Sequence, residues 1–294
     1  MVFGAWDSVV NAVLLVFWLR MWAGEHRSLV FNQYLSPLAR LTDSISDFLR
    51  PVFAGLPVKA VMGICLLALL LLRGLAIRPD SPGFIAMGFE VRTPFGEVVL
   101  PRVAFSFLSF AKFLFQVWGL SLLYCGGRSS LSGAGHAQEA LTFVARPFTF
   151  IPRAARPGVL LVFGAAIALS LGLLGHQVPG LSVAAEETIR GRLPLTAGLG
   201  AVLCALQEGV NLLSIIRSAL VVLIIGALVS MFAGSQLVLF VCRDWTDLLL
   251  GPARRFPLRI GPLDLTPLLF LFVAGILYQW LTLILRVAYS GLFG

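Results

Sequence analysis

Few residues of this chain are equipped for chemistry, and they are scattered. Its 3 histidines, His26, His136 and His176, each fall in a stretch that reads as a connection between apolar runs. A haem or a metal needs ligands that meet in space, and no Cys/His cluster with metal-ligand spacing is present. The four cysteines, Cys65, Cys125, Cys204 and Cys242, stand alone in or beside apolar runs and read as small buried residues. The chain lacks a P-loop, a nucleophile elbow and an HExxH helix. No catalytic, cofactor-binding or metal site is expected, and hence no enzyme. A lipid-modifying enzyme would need carboxylates or histidines grouped at one depth, and no such group is legible. The one concentration of polar side chains inside an apolar run is Ser109, Lys112 and Gln116, in "FSFLSFAKFLFQVW". Spacings of three and four put all three on one face of a helix. That strip faces other helices or a partner, or else the lysine snorkels or pairs with a carboxylate. Asn11 and Gln279 read as lone polar residues that hydrogen-bond between helices.

The elements that carry these residues are set by composition. With 59% hydrophobic residues and a mean hydropathy of +0.94, the chain has too little polar surface for a water-soluble domain. Runs near 20 residues long are long enough to cross a hydrocarbon core of ~30 Å as helix. Six spans are expected: Met1–Leu19, Val58–Ile77, Val103–Cys125, Gly158–Gly175, Ser218–Cys242 and Leu265–Leu285. The fold class is all-α, a polytopic transmembrane protein of three helical hairpins with interfacial amphipathic segments. The first run lacks a basic start and a small-residue cleavage site, so it is expected to be retained. Lys59 and Arg73 lie near the ends of the second run and are expected to snorkel to the headgroups. Phe105, Phe107, Phe110, Phe113, Phe115 and Trp118 wrap the third run, as expected of a helix in lipid.

The formal charge is +8. The connections after the first, third and fifth spans hold 13 Lys and Arg; those after the second and fourth hold 7. Cytoplasmic loops collect basic residues. The bias places both termini outside and the three odd-numbered connections in the cytoplasm. These charges suit anionic lipid headgroups, each worth ~1 kcal/mol at such a surface. Their dispersal among acids, beside membrane runs, argues against nucleic acid as a partner.

Those three connections share a pattern. An acid precedes a proline by eight positions, a second proline follows five or six later, and an apolar run begins. The copies are Asp43, Pro51 and Pro57; Glu139, Pro147 and Pro152; and Asp244, Pro252 and Pro257. Arg50 and Arg146 precede the first proline in two copies, and Gly251 in the third. In the first copy Leu35, Leu38, Leu41, Ile45, Phe48, Leu49 and Val52 recur at helical spacing, while Asp43 and Asp47 share another face. A helix of this kind lies in the interface with its apolar side among lipid tails. The first proline ends that helix, because it lacks an N–H and disfavours helix in its predecessor. The second suits the first turn of the following span. In "PLDLTP", Asp264 or Thr266 is placed to cap the last span, and Pro267 fits its first turn.

The third copy, "LLLGPARRFPLRIGPLDLTPLLFLFV", resembles the YggT (YlmG) family of integral membrane proteins. Pro252, Arg254, Arg255 and Pro257 match its proline-and-arginine corner, and Asp264, Leu265, Thr266 and Pro267 match its Asp-Leu-Ser/Thr-Pro entry. The first copy is similar to the family's first half, with Thr42, Asp43, Arg50, Pro51 and Pro57 in place. It has Lys59-Ala-Val-Met where the entry would stand, and the second copy also lacks the entry. Family members usually carry one or two units, so three is an extension. The implied organisation is a first unit at 1–78, an external loop at 79–102, a second unit at 103–176, an external connection at 177–210 and a third unit at 211–294. Within the external loop, "GFEVR" and "EVVLP" around "TPFG" read as a short hairpin. Leu193–Gln207 reads as an interfacial or half-inserted helix, or else as the start of a long fifth span. The resemblance implies a bacterial inner-membrane protein associated with osmotic tolerance, cell-division gene neighbourhoods or cytochrome maturation. The expected function is a non-catalytic scaffold or accessory subunit, partnered by lipids and other integral membrane proteins. The alternative is a small ion or solute pathway lined by Lys112, Arg217 and the interfacial carboxylates.

Overall fold

The computed structural model describes residues 2–23, 32–49, 51–53, 55–77, 87–88, 99–125, 135–174, 195–251, 253, 258–260 and 263–293. Arg50, Pro252, Arg254, Arg255, Pro257, His26, His176 and residues 89–98 of the expected hairpin lie outside them. Asp264 is described as backbone only.

The helices come in the order long, short, long, three times. The first set is α1 (Val2–Ala23), α2 (Leu35–Leu49) and α3 (Val58–Ala76). The second is α4 (Val99–Cys125), α5 (His136–Val144) and α6 (Arg156–Leu173). The third is α7 (Leu195–Ala233), α8 (Gln236–Leu250) and α9 (Thr266–Phe293). Among the described residues, five of the long helices, α3, α4, α6, α7 and α9, are apolar and long enough to cross a membrane. The chain is an all-α, multi-pass membrane protein. Within each set the two long helices pack on each other, and α3–α4 and α6–α7 join one set to the next.

α4 is the hub. It touches α1, α3, α5, α6 and α7. One apolar cluster, with Leu14, Met62, Leu66 and Phe110, joins α4 to α1 and α3. Another, with Phe105, Phe115, Ile167, Leu171 and Cys204, joins it to α6 and α7. Its aromatic coat is thus largely a protein core: Phe105, Phe110 and Phe115 are buried, and only Phe107 is well exposed. Small residues allow the approach. A Cβ on Gly74 of α3 would stand 2.6 Å from the Val103 Cα, and one on Gly164 of α6 2.7 Å from Phe115 Cε2.

Several boundaries differ from expectation. Leu193–Gln207 is not a separate interfacial helix; from Leu195 it belongs to α7, which runs unbroken to Ala233. The alternative reading, a long fifth span, is the observed one. The expected span Ser218–Cys242 is cut at Gly234, whose φ of 69° suits glycine. There Ser235 N–H bonds back to Ser230 O and closes the helix. An apolar run continuous across that glycine hid the turn. Thirty-nine residues of helix measure roughly 58 Å, about twice a hydrocarbon core. α4 runs beside the first part of α7, Gln116 reaching Glu208 and Gly119 meeting Leu212. The end of α7 therefore projects beyond α4, where α8 folds back along it: Leu249 and Leu250 pack on Ile216 and Leu220. α4 starts at Val99, so the "VLP" of "EVVLP" is helix and not strand.

The corners also depart in detail. Each short helix ends two or three residues before its proline, at Leu49, Val144 and Leu250, as the missing N–H requires. Pro51 sits in an exposed turn and Pro57 is the residue before α3. In the second set Pro157, not Pro152, occupies the first turn of α6. A 3₁₀ turn at Phe148–Phe150 lengthens this corner, and Arg156 ties it by donating to the Ile151 and Thr149 carbonyls at 3.0 and 2.8 Å. In the third set a two-residue antiparallel ladder pairs β1 (Arg259–Ile260) with β2 (Leu263–Asp264). Thr266 is buried, and its Oγ1 accepts from the Leu258 N–H at 3.0 Å. Standing at the first residue of α9, it thus ties the preceding corner to the start of that helix. Pro267 occupies that first turn as expected.

Gly74→Ala is expected to force α3 away from α4 at a cost of about 1–3 kcal/mol. Gly158→Ala, where nothing lies within 4 Å, should be neutral. Thermal unfolding of the two variants in one detergent compares them; equal midpoints would contradict the packing.

Candidate functional site

The three acids of the repeated pattern gather at one end of the bundle and tie it together. Asp43 on α2 pairs with Arg20 near the end of α1. Glu139 on α5 accepts from the Asn32 side-chain amide at 3.0 Å. Asp244 on α8 accepts from the Tyr34 hydroxyl at 2.9 Å and from the Ala137 backbone N–H at 3.0 Å. The second contact places a negative charge on the first turn of α5, where unsatisfied N–H groups favour it. Gly135 leaves room for it, since a Cβ there would collide with Asp244 Oδ1.

Asn32 is the centre of this layer and is 1% exposed. Its side-chain oxygen accepts from the N–H groups of Tyr34 and Leu35 at 2.9 and 3.3 Å, which starts α2. Its amide also donates to the His136 carbonyl at 2.9 Å. Trp18 Nε1 donates to the Arg146 carbonyl at 3.0 Å, and the Arg146 guanidinium lies 4.6 Å from the Phe143 ring centre. Pro147 and Pro152 frame that corner without a side-chain role of their own. Beneath, Leu19, Leu35, Ala39, Ala140 and Phe143 form a small apolar cluster. On the outer face of α2 and its corner, Phe48 and Val52 are left 82% and 73% exposed, an apolar surface suited to lipid tails. Burial, then the hydrogen bond to Asp244, pushes the Tyr34 hydroxyl up to about 12.

A second set of polar contacts lies deeper in the bundle. Arg73 of α3 pairs with Asp7 of α1, donates to Asn11 Oδ1 at 2.8 Å and reaches Ser109 of α4 at 2.8 Å. Asn11 donates to Ser109 Oγ at 3.1 Å. Arg73 is therefore held by α1 and α4 and does not snorkel, whereas Lys59 is exposed. One to two turns further along α4, Lys112 and Gln116 meet Glu208 of α7, which is 1% exposed. It accepts from Gln116 at 2.9 Å and Asn211 at 3.1 Å, with Lys112 Nζ at 3.4 Å. Gln207 continues the row by donating to Thr282 of α9 at 3.3 Å.

The expected strip is thus split. Ser109 joins the α1–α3 cluster, while Lys112 and Gln116 join Glu208. The reading of Lys112 as paired with a carboxylate is the observed one. Asn11 does bond between helices, but Gln279 is exposed on α9. Sequence reasoning missed Asn32, Tyr34 and the role of Glu208. The i, i+4 placement of Asp7 and Asn11 was a usable signal, since it sets two acceptors on one face. Asn32 and Tyr34 carried none, because their partners are 104 and 210 residues away. Chemically these arrangements hold helices together. Among the described residues no three His, Cys, Asp or Glu side chains converge as metal ligands, and the four cysteines are free.

Lys112→Leu is expected to cost about 3 kcal/mol, because it strips the cation from a carboxylate that stays buried. Lys112→Leu with Glu208→Leu should recover most of that loss; unfolding in detergent for both variants gives the comparison, and an additive loss would contradict the pairing. For Tyr34, the folded-state value lies above the ordinary one, so its contribution is complete below pH 10 and fades as pH rises toward 12. A wild-type minus Tyr34→Phe absorbance titration should show a phenolate appearing near pH 12; appearance near 10 would contradict the contact with Asp244.

No family model, curated protein or solved structure significantly matches this chain.

Proposed function

We propose that this chain is a non-catalytic scaffold or accessory subunit of a membrane protein complex, related to the YggT family by three tandem units. In this reading it resides in a bacterial inner membrane, with both termini outside and the short-helix layer at the cytoplasmic face. The observation that carries the proposal is how the intramembrane charges are used. Asp7 with Arg73 and Lys112 with Glu208 join helices to one another, so these groups serve assembly of the bundle. An ion pathway would instead set such groups along a wet cavity. The last span supports the same reading. Only 6% of its membrane-length window is buried, and it leans on α7 with a slight contact to α8. That leaves a broad apolar helix face open to a partner's spans, and the anionic headgroups to the basic corners.

Purification in mild detergent is expected to retain a stoichiometric integral membrane partner, identified by mass spectrometry. Leu269→Trp with Leu277→Trp on the exposed face of α9 should lower its recovery several-fold without reducing insertion. A chain that purifies alone, and that conducts a solute in reconstituted vesicles, would replace the scaffold reading with the transport one.

A further inference from the structure

Arg217 is a cation of the membrane-spanning region that forms no ion pair among the described residues. Arg217 lies on α7 and faces α9. Its guanidinium carbon is 3.2 Å from where a Gly275 Cβ would stand, so that glycine opens the space the side chain fills. Its Nε is buried and without a hydrogen-bond partner. The guanidinium borders a groove of about 520 Å³ lined by Ser214, Arg217, Ser218, Val221, Val222 and Leu271. Ser214 and Ser218 are one turn apart and flank Arg217, which sets two hydroxyls beside one guanidinium. Among the described residues no carboxylate lines the groove.

The depth of this groove is informative. Ile216, next to Arg217, packs with Tyr124 and Leu249, and Tyr124 donates to the Leu249 carbonyl at 3.0 Å. Tyr124 is the penultimate residue of α4, and Leu249 adjoins the third corner. On α9, Leu271 and Gly275 stand five and nine residues from the helix start, roughly 8 and 14 Å along its axis. α7 and α9 run antiparallel, so Val221, Val222 and Leu271 lie on the short-helix side of Arg217: the groove opens toward the headgroups along these apolar walls, and the guanidinium stands at its inner end. A planar guanidinium with two hydroxyls matches the oxygens of a phosphate, and desolvation strengthens such charge-assisted bonds.

We infer that the α7–α9 groove is a phosphate-recognising site, with Arg217 as the charged contact and Ser214 and Ser218 as hydroxyl donors. The phosphate comes from a lipid headgroup drawn into the groove past Val221, Val222 and Leu271, or from free inorganic phosphate. This inference is independent of the scaffold reading, since it concerns one groove of this chain alone.

Native mass spectrometry of the detergent-purified protein, titrated with phosphatidylglycerol, tests it. Wild type should retain one lipid more tightly than the rest, and Arg217→Gln should weaken that binding about tenfold. Ser214→Ala with Ser218→Ala should weaken it less. Arg217→Lys should recover part of the affinity, because it restores charge without the planar fork. Arg153→Gln, which removes an exposed corner arginine, serves as the control and should leave the tight lipid in place. Competition by inorganic phosphate at millimolar concentration would assign the site to the free anion; failure to compete assigns it to the lipid. Equal losses in Arg217→Gln and Arg153→Gln, or no loss in either, would overturn the inference. Circular dichroism of each variant confirms that lost binding is not lost folding.

Discussion

Hydrocarbon offers no hydrogen bonds, and the bundle is organised around that constraint. A charged side chain at this depth must meet an opposite charge or polar groups from a neighbouring helix. Asp7 and Arg73 answer it between α1 and α3, with Asn11 and Ser109 completing the set. Lys112 and Glu208 answer it between α4 and α7. Both sets converge on α4, which explains why this helix has protein on most sides. Van der Waals packing fills the intervals, and glycines at 74 and 164 bring backbones close enough for it.

The short helices solve a different problem. Each must turn the chain at the end of a span, where backbone N–H groups are exposed and water is near. Asp244 meets the first turn of α5, and Asn32 starts α2 while holding α5. Contacts between sets thereby lock three corners into one layer. Tyr34 belongs to the same layer, and burial with its hydrogen bond to Asp244 keeps its hydroxyl protonated to higher pH than usual. The exposed apolar side chains of α2 and its corner, Phe48 and Val52, fit the boundary between such a layer and lipid.

Much of this architecture was legible in order and type. Apolar runs marked the spans, and prolines marked the ends of the short helices, because both depend on local chemistry. The fifth span was misplaced because hydropathy is blind to a single glycine in a left-handed conformation. The strip on α4 was correctly put on one face, but its polar residues serve different neighbours at different heights along the helix. Sequence spacing reports a face and does not say how many helices share it. Pro152 and Pro157 make the same point: both suit a helix start, and only the length of the 3₁₀ corner chooses between them.

Composition and local pattern by themselves determined an all-helical membrane protein, the ends of its short helices and the recurrence of its acid-and-proline pattern. These follow from transfer free energy and from the backbone of proline, which act within a few residues. Only the tertiary structure decided which charges meet. Asn32 with Glu139, Tyr34 with Asp244 and Gln116 with Glu208 are separated by 107, 210 and 92 residues. Their pairing depends on how whole helices dock, and a charge left over from that docking, Arg217, is visible only once all its neighbours are in place.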